Sequence, residues 1–243
     1  MIFLFFIINI LFGNNSDPTG KLDNVNYFIN NNPASINKNI IIGMSPNRFG
    51  VSELDEIYLA GYYNKNNYSL YGGINSINNE LNRELNINFG GVYKYNNIFD
   101  VGVRFNYLNN NIKNYININK SFLDIGAILY FDSLSIGGYF NNIYSTNNDI
   151  NNFLYFKTAA SYNYNLFAFY FGPEIILNKS YGLTTGIKYN FNNYINFRIN
   201  YSSLFNTFNS SISILLNNYI INVSISKHNN LGYSQDYQIL YDF

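Results

Sequence analysis

Three observations predict an all-β fold, a single antiparallel transmembrane β-barrel of about 14 strands with short periplasmic turns and longer extracellular loops. Segments of eight to twelve residues alternate apolar and polar along nearly the whole chain. The charges inside those segments avoid the apolar parity. The links between segments are tight at one end and mostly longer at the other.

Composition sets the frame. Of 243 residues, 47% are hydrophobic, 19% aromatic and only 12% charged, with 14 Lys+Arg against 14 Asp+Glu. Soluble domains are about a quarter charged, so a neutral, charge-poor surface points away from water. The aromatic content is wrong for disorder. Nucleic acid finds no basic excess to bind. Without Cys there is no disulfide, no thiol chemistry and no Cys–zinc site.

Met1 to Phe12 is almost wholly apolar and is broken by Gly13-Asn14-Asn15-Ser16. Twelve residues at ~1.5 Å each fall short of a ~30 Å hydrocarbon core. The length suits a secretory signal peptide, assigned to residues 1–16. Residues 17–38 follow as an N-terminal periplasmic or plug segment, and 39–243 as the outer-membrane barrel. No run of apolar residues is long enough for a helical span.

The strand centres, in order, are Ile42, Leu59, Tyr71, Phe89, Val103, Ile125, Gly138, Ala159, Phe171, Thr185, Phe197, Ile212, Val223 and Tyr237. The fifth shows the rule: Phe99, Val101, Val103, Phe105 and Tyr107 share one face, and Asp100, Gly102, Arg104 and Asn106 the other. Even-to-odd links are tight and rich in Asn and Asp, such as Asn96-Asn97, Asp132-Ser133 and Asn217-Asn218. These residues accept the positive φ of short hairpin turns. Odd-to-even links are mostly longer: Ser45 to Asp55, Asn109 to Asn119, Ser145 to Asn152, Ser202 to Asn206. An even strand number puts both ends of the barrel on the short-turn rim. Phe243 closes the last alternating strand with an aromatic, the kind of signal read by barrel assembly machinery.

In lipid every backbone polar group must pair internally, so a sheet has to close. Its outer face then wants Leu, Ile, Val and Phe, with Tyr at the interfaces. Lys94, Asp100, Arg104, Asp124, Lys157, Glu174, Lys188 and Arg198 all take the opposite, lumen-facing parity. Arg or Lys on the lipid face would cost ~2–4 kcal/mol at the bilayer midplane. Inward Tyr71, Phe122, Tyr130, Tyr139, Tyr155 and Tyr170 suggest a filled lumen rather than a wide channel.

Catalytic chemistry finds no support. His228 is the single histidine, with no Cys or carboxylate pair beside it, and reads as a loop residue. There is no G-x-S-x-G, G-x-G-x-x-G or P-loop. No catalytic, metal or cofactor-binding residue is assigned, and the reading is not an enzyme. The loop Ser45–Leu54 is the most motif-like run. Arg48, Phe49 and Glu53 are its candidate gate or partner contacts, with Arg48 expected to pair with Glu53 or Asp55.

Three stretches together resemble the PorV/PorQ-like outer-membrane proteins of the Bacteroidota and their relatives, which are similar in turn to FadL-type barrels. They are Asn32-Pro33-Ala34, the S-P-x-R-F-G-x-S-E-L loop with Arg48, Phe49 and Gly50, and the turn with His228, Leu231, Gly232 and Ser234. The resemblance implies a fourteen-stranded barrel in the cell outer membrane. It implies a role in type IX secretion or surface assembly, with the barrel assembly machinery and secretion-system proteins as partners besides the lipid bilayer. The alternative is a FadL-like transporter, or a narrow pore for small or hydrophobic molecules.

Overall fold

The computed structural model describes residues 32–35, 39–48, 51, 54–79, 82–96, 98–113, 116–146 and 153–242. The expected signal peptide, Phe49, Glu53 and Phe243 lie outside them. Fourteen strands follow one another: β1 (Asn39–Ser45), β2 (Glu56–Lys65), β3 (Tyr68–Asn78), β4 (Asn82–Tyr95), β5 (Phe99–Ile112), β6 (Ile116–Phe131), β7 (Leu134–Ser145), β8 (Tyr155–Tyr164), β9 (Phe167–Ile176), β10 (Ser180–Asn190), β11 (Ile195–Ser202), β12 (Thr207–Leu216), β13 (Tyr219–His228) and β14 (Gly232–Asp242). Each pairs antiparallel with its neighbours in sequence, and β1 closes on β14, with Ile42 opposite Ile239 and Met44 opposite Tyr237. Each predicted strand centre falls in the corresponding strand.

The turns carry the expected chemistry. Asn66, Asn96, Asp132, Asn165 and Asn217, all at short-rim turns, have φ of 53°, 45°, 21°, 51° and 53°. Asn and Asp tolerate this left-handed region where most side chains do not. One expected loop is replaced by strand. Within Asn109 to Asn119, β5 continues to Ile112 and β6 begins at Ile116. Cross-strand amides account for the extension: Asn109 donates to Asn117 (3.3 Å) and Asn119 (2.5 Å), and the Tyr107 hydroxyl also reaches Asn119 (3.0 Å).

The alternation becomes an inside and an outside. Ile42, Leu59, Phe89, Val103, Phe171, Ile199 and Val223 are exposed on the outer wall. Tyr63, Tyr68, Tyr95, Tyr162, Tyr164, Tyr194 and Tyr219 ring the short-turn rim, where a hydroxyl meets headgroups and a ring meets acyl chains. The inner wall is Asn, Ser, Thr, Gln and paired charge. A closed sheet with an apolar exterior and a polar interior is a membrane-spanning barrel of the outer-membrane type.

Val103 lies outward and 42% exposed on β5. Val103→Arg should therefore impair assembly, costing ~2–4 kcal/mol if the residue sits near the midplane. Val103→Leu should assemble normally. Loss of the heat-modifiable band in SDS gels for the arginine variant alone is the expected outcome. Normal folding of Val103→Arg would reverse the assignment of faces.

Candidate functional site in the barrel lumen

Two glycines prepare the floor of the lumen. Gly102 on β5 and Gly126 on β6 are directly paired and both face inward. A Cβ on Gly102 would run into the backbone of Pro33 and Ala34, and one on Gly126 into the side chain of Asn32. Asn32-Pro33-Ala34 therefore lies inside the barrel, on a patch of bare backbone. The Asn32 amide donates to the carbonyls of Ala127 (3.1 Å) and Gly138 (3.3 Å) and accepts from the Ala34 N–H (2.9 Å). All three residues are buried.

Above this seat, Arg104 on β5 faces Asp124 on β6. Its Nε and Nη2 donate to Asp124 Oδ2 at 3.0 and 2.8 Å, and the Asn106 amide adds a third bond at 2.8 Å. Asp124 Oδ1 accepts the Asn142 N–H at 3.0 Å. That last contact marks a bulge in β7. Between Leu123↔Tyr144 and Ile125↔Phe140, the single residue Asp124 faces Asn141 to Ile143. Asn142 has φ 61° there, a conformation Asn accepts.

A second charge cluster sits toward the long-loop rim. Lys157 Nζ is 3.8 Å from Glu174, with both side chains fully buried. Glu174 also accepts from the Tyr155 hydroxyl (3.2 Å), the Leu204 N–H (3.2 Å) and the Ser202 hydroxyl. These bonds draw the β11–β12 turn inward, so that Phe205 is 3% exposed and packs on Tyr155 at 5.8 Å between ring centroids. The third cluster holds the first long loop. Arg48 pairs with Glu56 at 2.5 Å, and Asn75 donates to the other Glu56 oxygen at 2.5 Å. Asp236 nearby accepts from Tyr58 (3.1 Å) and Gln238 (2.5 Å).

Glu56 is a partner of Arg48 that the sequence reading did not single out; Glu53 lies outside the described residues. Arg48 is 4% exposed and turned down into the mouth, where Glu56 on the inward parity of β2 meets it. Asp55 instead accepts the Asn47 N–H at 2.9 Å. The bond from Arg48 N–H to the Leu54 carbonyl, 3.1 Å, folds the loop so that its arginine points inward. His228 is the last residue of β13, at the long-loop rim, 5% exposed. Its Nδ1 accepts the Asn230 N–H (3.1 Å) and its carbonyl the Leu231 N–H (3.3 Å). Gly232 supplies the φ of 94° the turn needs, and Ser234 is buried beyond it. Those four residues build a turn.

Arg104, Asp124, Lys157, Glu174, Arg198 and Asp100 are buried in the lumen, and Asp100 accepts from the Tyr130 hydroxyl at 3.0 Å. Lys94 and Lys188 are half-buried. Glu56, Glu84 and Asp236 belong to the same interior and were not singled out from sequence, though all three take the inward parity. Among the described residues no cluster of His, Asp and Glu has the makings of a metal site.

No family model and no curated protein matches the sequence. Solved structures do match the fold. The P. putida toluene transporter TodX aligns with a TM-score of 0.57 at 10% identity, over 87% of this chain and 92% of that one. The Acinetobacter baumannii outer membrane protein Omp33 gives 0.57 at 10%, over 85% and 98%. A Pseudomonas aeruginosa FadL homologue gives 0.56 at 9%, over 88% of this chain and 93% of its own. The chain thus has the fold of outer-membrane channel and transporter barrels.

Removing one member of a buried pair leaves a charge with nothing to balance it, a loss of about 3–5 kcal/mol. Arg104→Met should lower the unfolding free energy from urea titration by that amount, and Asp124→Leu added to it should recover most of the loss. Equal stability of the single variant and the parent would show that the pair contributes nothing.

Proposed function

We propose that the protein is a narrow outer-membrane pore for small solutes, FadL-like in plan and closed by its own N-terminal segment. The observation that carries this reading is the seat of Asn32-Pro33-Ala34 on the paired glycines Gly102 and Gly126. Tying a segment into the lumen by side-chain bonds to only two carbonyls, those of Ala127 and Gly138, makes a removable stopper. The wall it covers is polar, which suits a wetted path once the stopper leaves. TodX, a toluene transporter, and the FadL homologue support a transport role by likeness of fold.

The second reading is a PorV/PorQ-like component of secretion or surface assembly. The motif residues at Asn32, Arg48 and His228 favour it, as does the β11–β12 turn drawn inward near the long-loop rim, with Phe205 packed on Tyr155. Against it, Arg48 is drawn into the mouth rather than offered to a partner.

The test is conductance in planar bilayers. Gly126→Val keeps a good strand former in β6 but places a side chain where Asn32 sits. The parent should show small, infrequent openings, and Gly126→Val a several-fold larger conductance with unchanged heat-modifiability. If both fold and neither conducts, the pore reading fails. A secretion defect in the deletion strain would then favour the second.

A further inference from the structure

We propose that the outer face of β4–β6, where these strands rise above the lipid belt, is a seat for the phosphorylated sugar head groups of outer-leaflet glycolipid. The occupant follows from continuity, because this face is the upward extension of the wall that meets acyl chains. The pore reading plays no part in it.

Strand length supplies the first observation. A tilted strand crosses a bilayer with about 9–11 residues. β4 and β5 have 14 and β6 has 16. Tyr95 and Phe131 hold the short-turn ends at the interface, so the surplus lies at the long-loop rim. Counted from the short-turn end, the eleventh residue is Leu85 in β4, Asn109 in β5 and Ser121 in β6.

The two faces exchange chemistry near that height. Below it the outward residues are apolar, among them Phe89, Val103 and Ile125. At and above it they are Arg83, Asn109, Asn111, Asn117 and Asn119, all exposed. Inward, the charges Arg104 and Asp124 give way to Leu108, Ile112 and Ile118, the last 2% exposed. The extension thus packs its apolar side over the mouth and turns amides toward the layer that surrounds the barrel there. In an outer leaflet that layer is sugar.

Charge supplies the second, independent observation. Among the described residues, the strand charges on the outward parity are Lys65, Arg83 and Lys227, and no carboxylate joins them. Lys65 stands at the short-turn rim, and Arg83 and Lys227 at the long-loop rim. Arg83 is directly opposite Asn111, which is directly opposite Asn117. Lys113, exposed at the tip of the hairpin, adds a further cation. A guanidinium fork matches two phosphate oxygens. Carboxamides both donate and accept, as sugar hydroxyls do. A row of arginine and amides is therefore complementary to a phosphorylated sugar and not to phosphate alone.

Native mass spectrometry of the purified barrel in detergent micelles tests this by counting bound lipid. Three probes are compared: bisphosphorylated lipid A, phosphatidylglycerol as phosphate without the sugar, and digalactosyl diacylglycerol as sugar without phosphate. The parent should bind lipid A more tightly than either of the others. Arg83→Gln should weaken lipid A binding about fivefold, the worth of one cation at an anionic lipid surface, and leave digalactosyl diacylglycerol unchanged. Asn111→Leu combined with Asn117→Leu should weaken both. Lys65→Gln should change neither. Heat-modifiability shows that each variant is folded. Phosphatidylglycerol bound as tightly as lipid A by the parent would reduce the face to a general anionic surface and overturn the site. Full lipid A affinity in folded Arg83→Gln would overturn it too, and dimers lost in that variant alone would then assign the face to a second copy of the chain.

Discussion

Closure of the hydrogen-bond ladder is the constraint on which the rest depends. In a hydrocarbon medium an unpaired N–H or C=O has no water to turn to, so the strand edges of β1 and β14 must find each other. Once they do, every residue has either an inward or an outward side chain. Composition follows from that choice. Ile, Leu, Val and Phe go outward, Tyr collects at the rim, and Asn, Ser and paired charge go inward. Turn residues follow too, since short hairpins on one rim need the positive φ that Asn66, Asn96 and Asn217 adopt.

The interior is packed by a recurring exchange between tyrosine and glycine. Tyr58 lies over Gly43, Tyr71 over Gly90 and Tyr170 over Gly186; in each case a Cβ on the glycine would collide with the ring. These tyrosines lie flat along the wall instead of reaching across the lumen. Of the inward tyrosines expected to fill the barrel, Tyr71 and Tyr170 lie against glycines of the wall, while Tyr139 and Tyr155 pack with Phe205. Rings cover bare backbone on adjoining strands, and Gly102 and Gly126, which have no ring above them, receive the N-terminal segment.

Charge is organised by the same geometry. A buried ion pair gains little over apolar packing but fixes its surroundings, because separating its members is costly. Asp124 binds Arg104 with one oxygen and the backbone of the β7 bulge with the other. Glu174 binds Lys157 and Tyr155 and also holds the β11–β12 turn down in the mouth. Glu56 does the same for Arg48 and the first long loop. Carboxylates on the wall thus decide where irregular segments lie.

The sequence by itself determined the fold class, the strand centres and the facing of the charges, because a period of two is a local property that each strand displays on its own. It did not determine which inward residues meet. That Lys188 opposes a cation while Arg104 opposes a carboxylate depends on register, which is set between strands. Glu56 went unnoticed as a partner of Arg48 for the same reason: proximity in sequence drew attention to Glu53 and Asp55, while the fold of the loop brings in Glu56. The strand extension at Asn109–Asn119 came from amide contacts across a hairpin, which composition alone reads as loop. Only the tertiary structure, by pairing Gly102 with Gly126, turned the motif Asn32-Pro33-Ala34 into a segment seated in the lumen, since the two glycines lie 24 positions apart and become one surface only across the ladder.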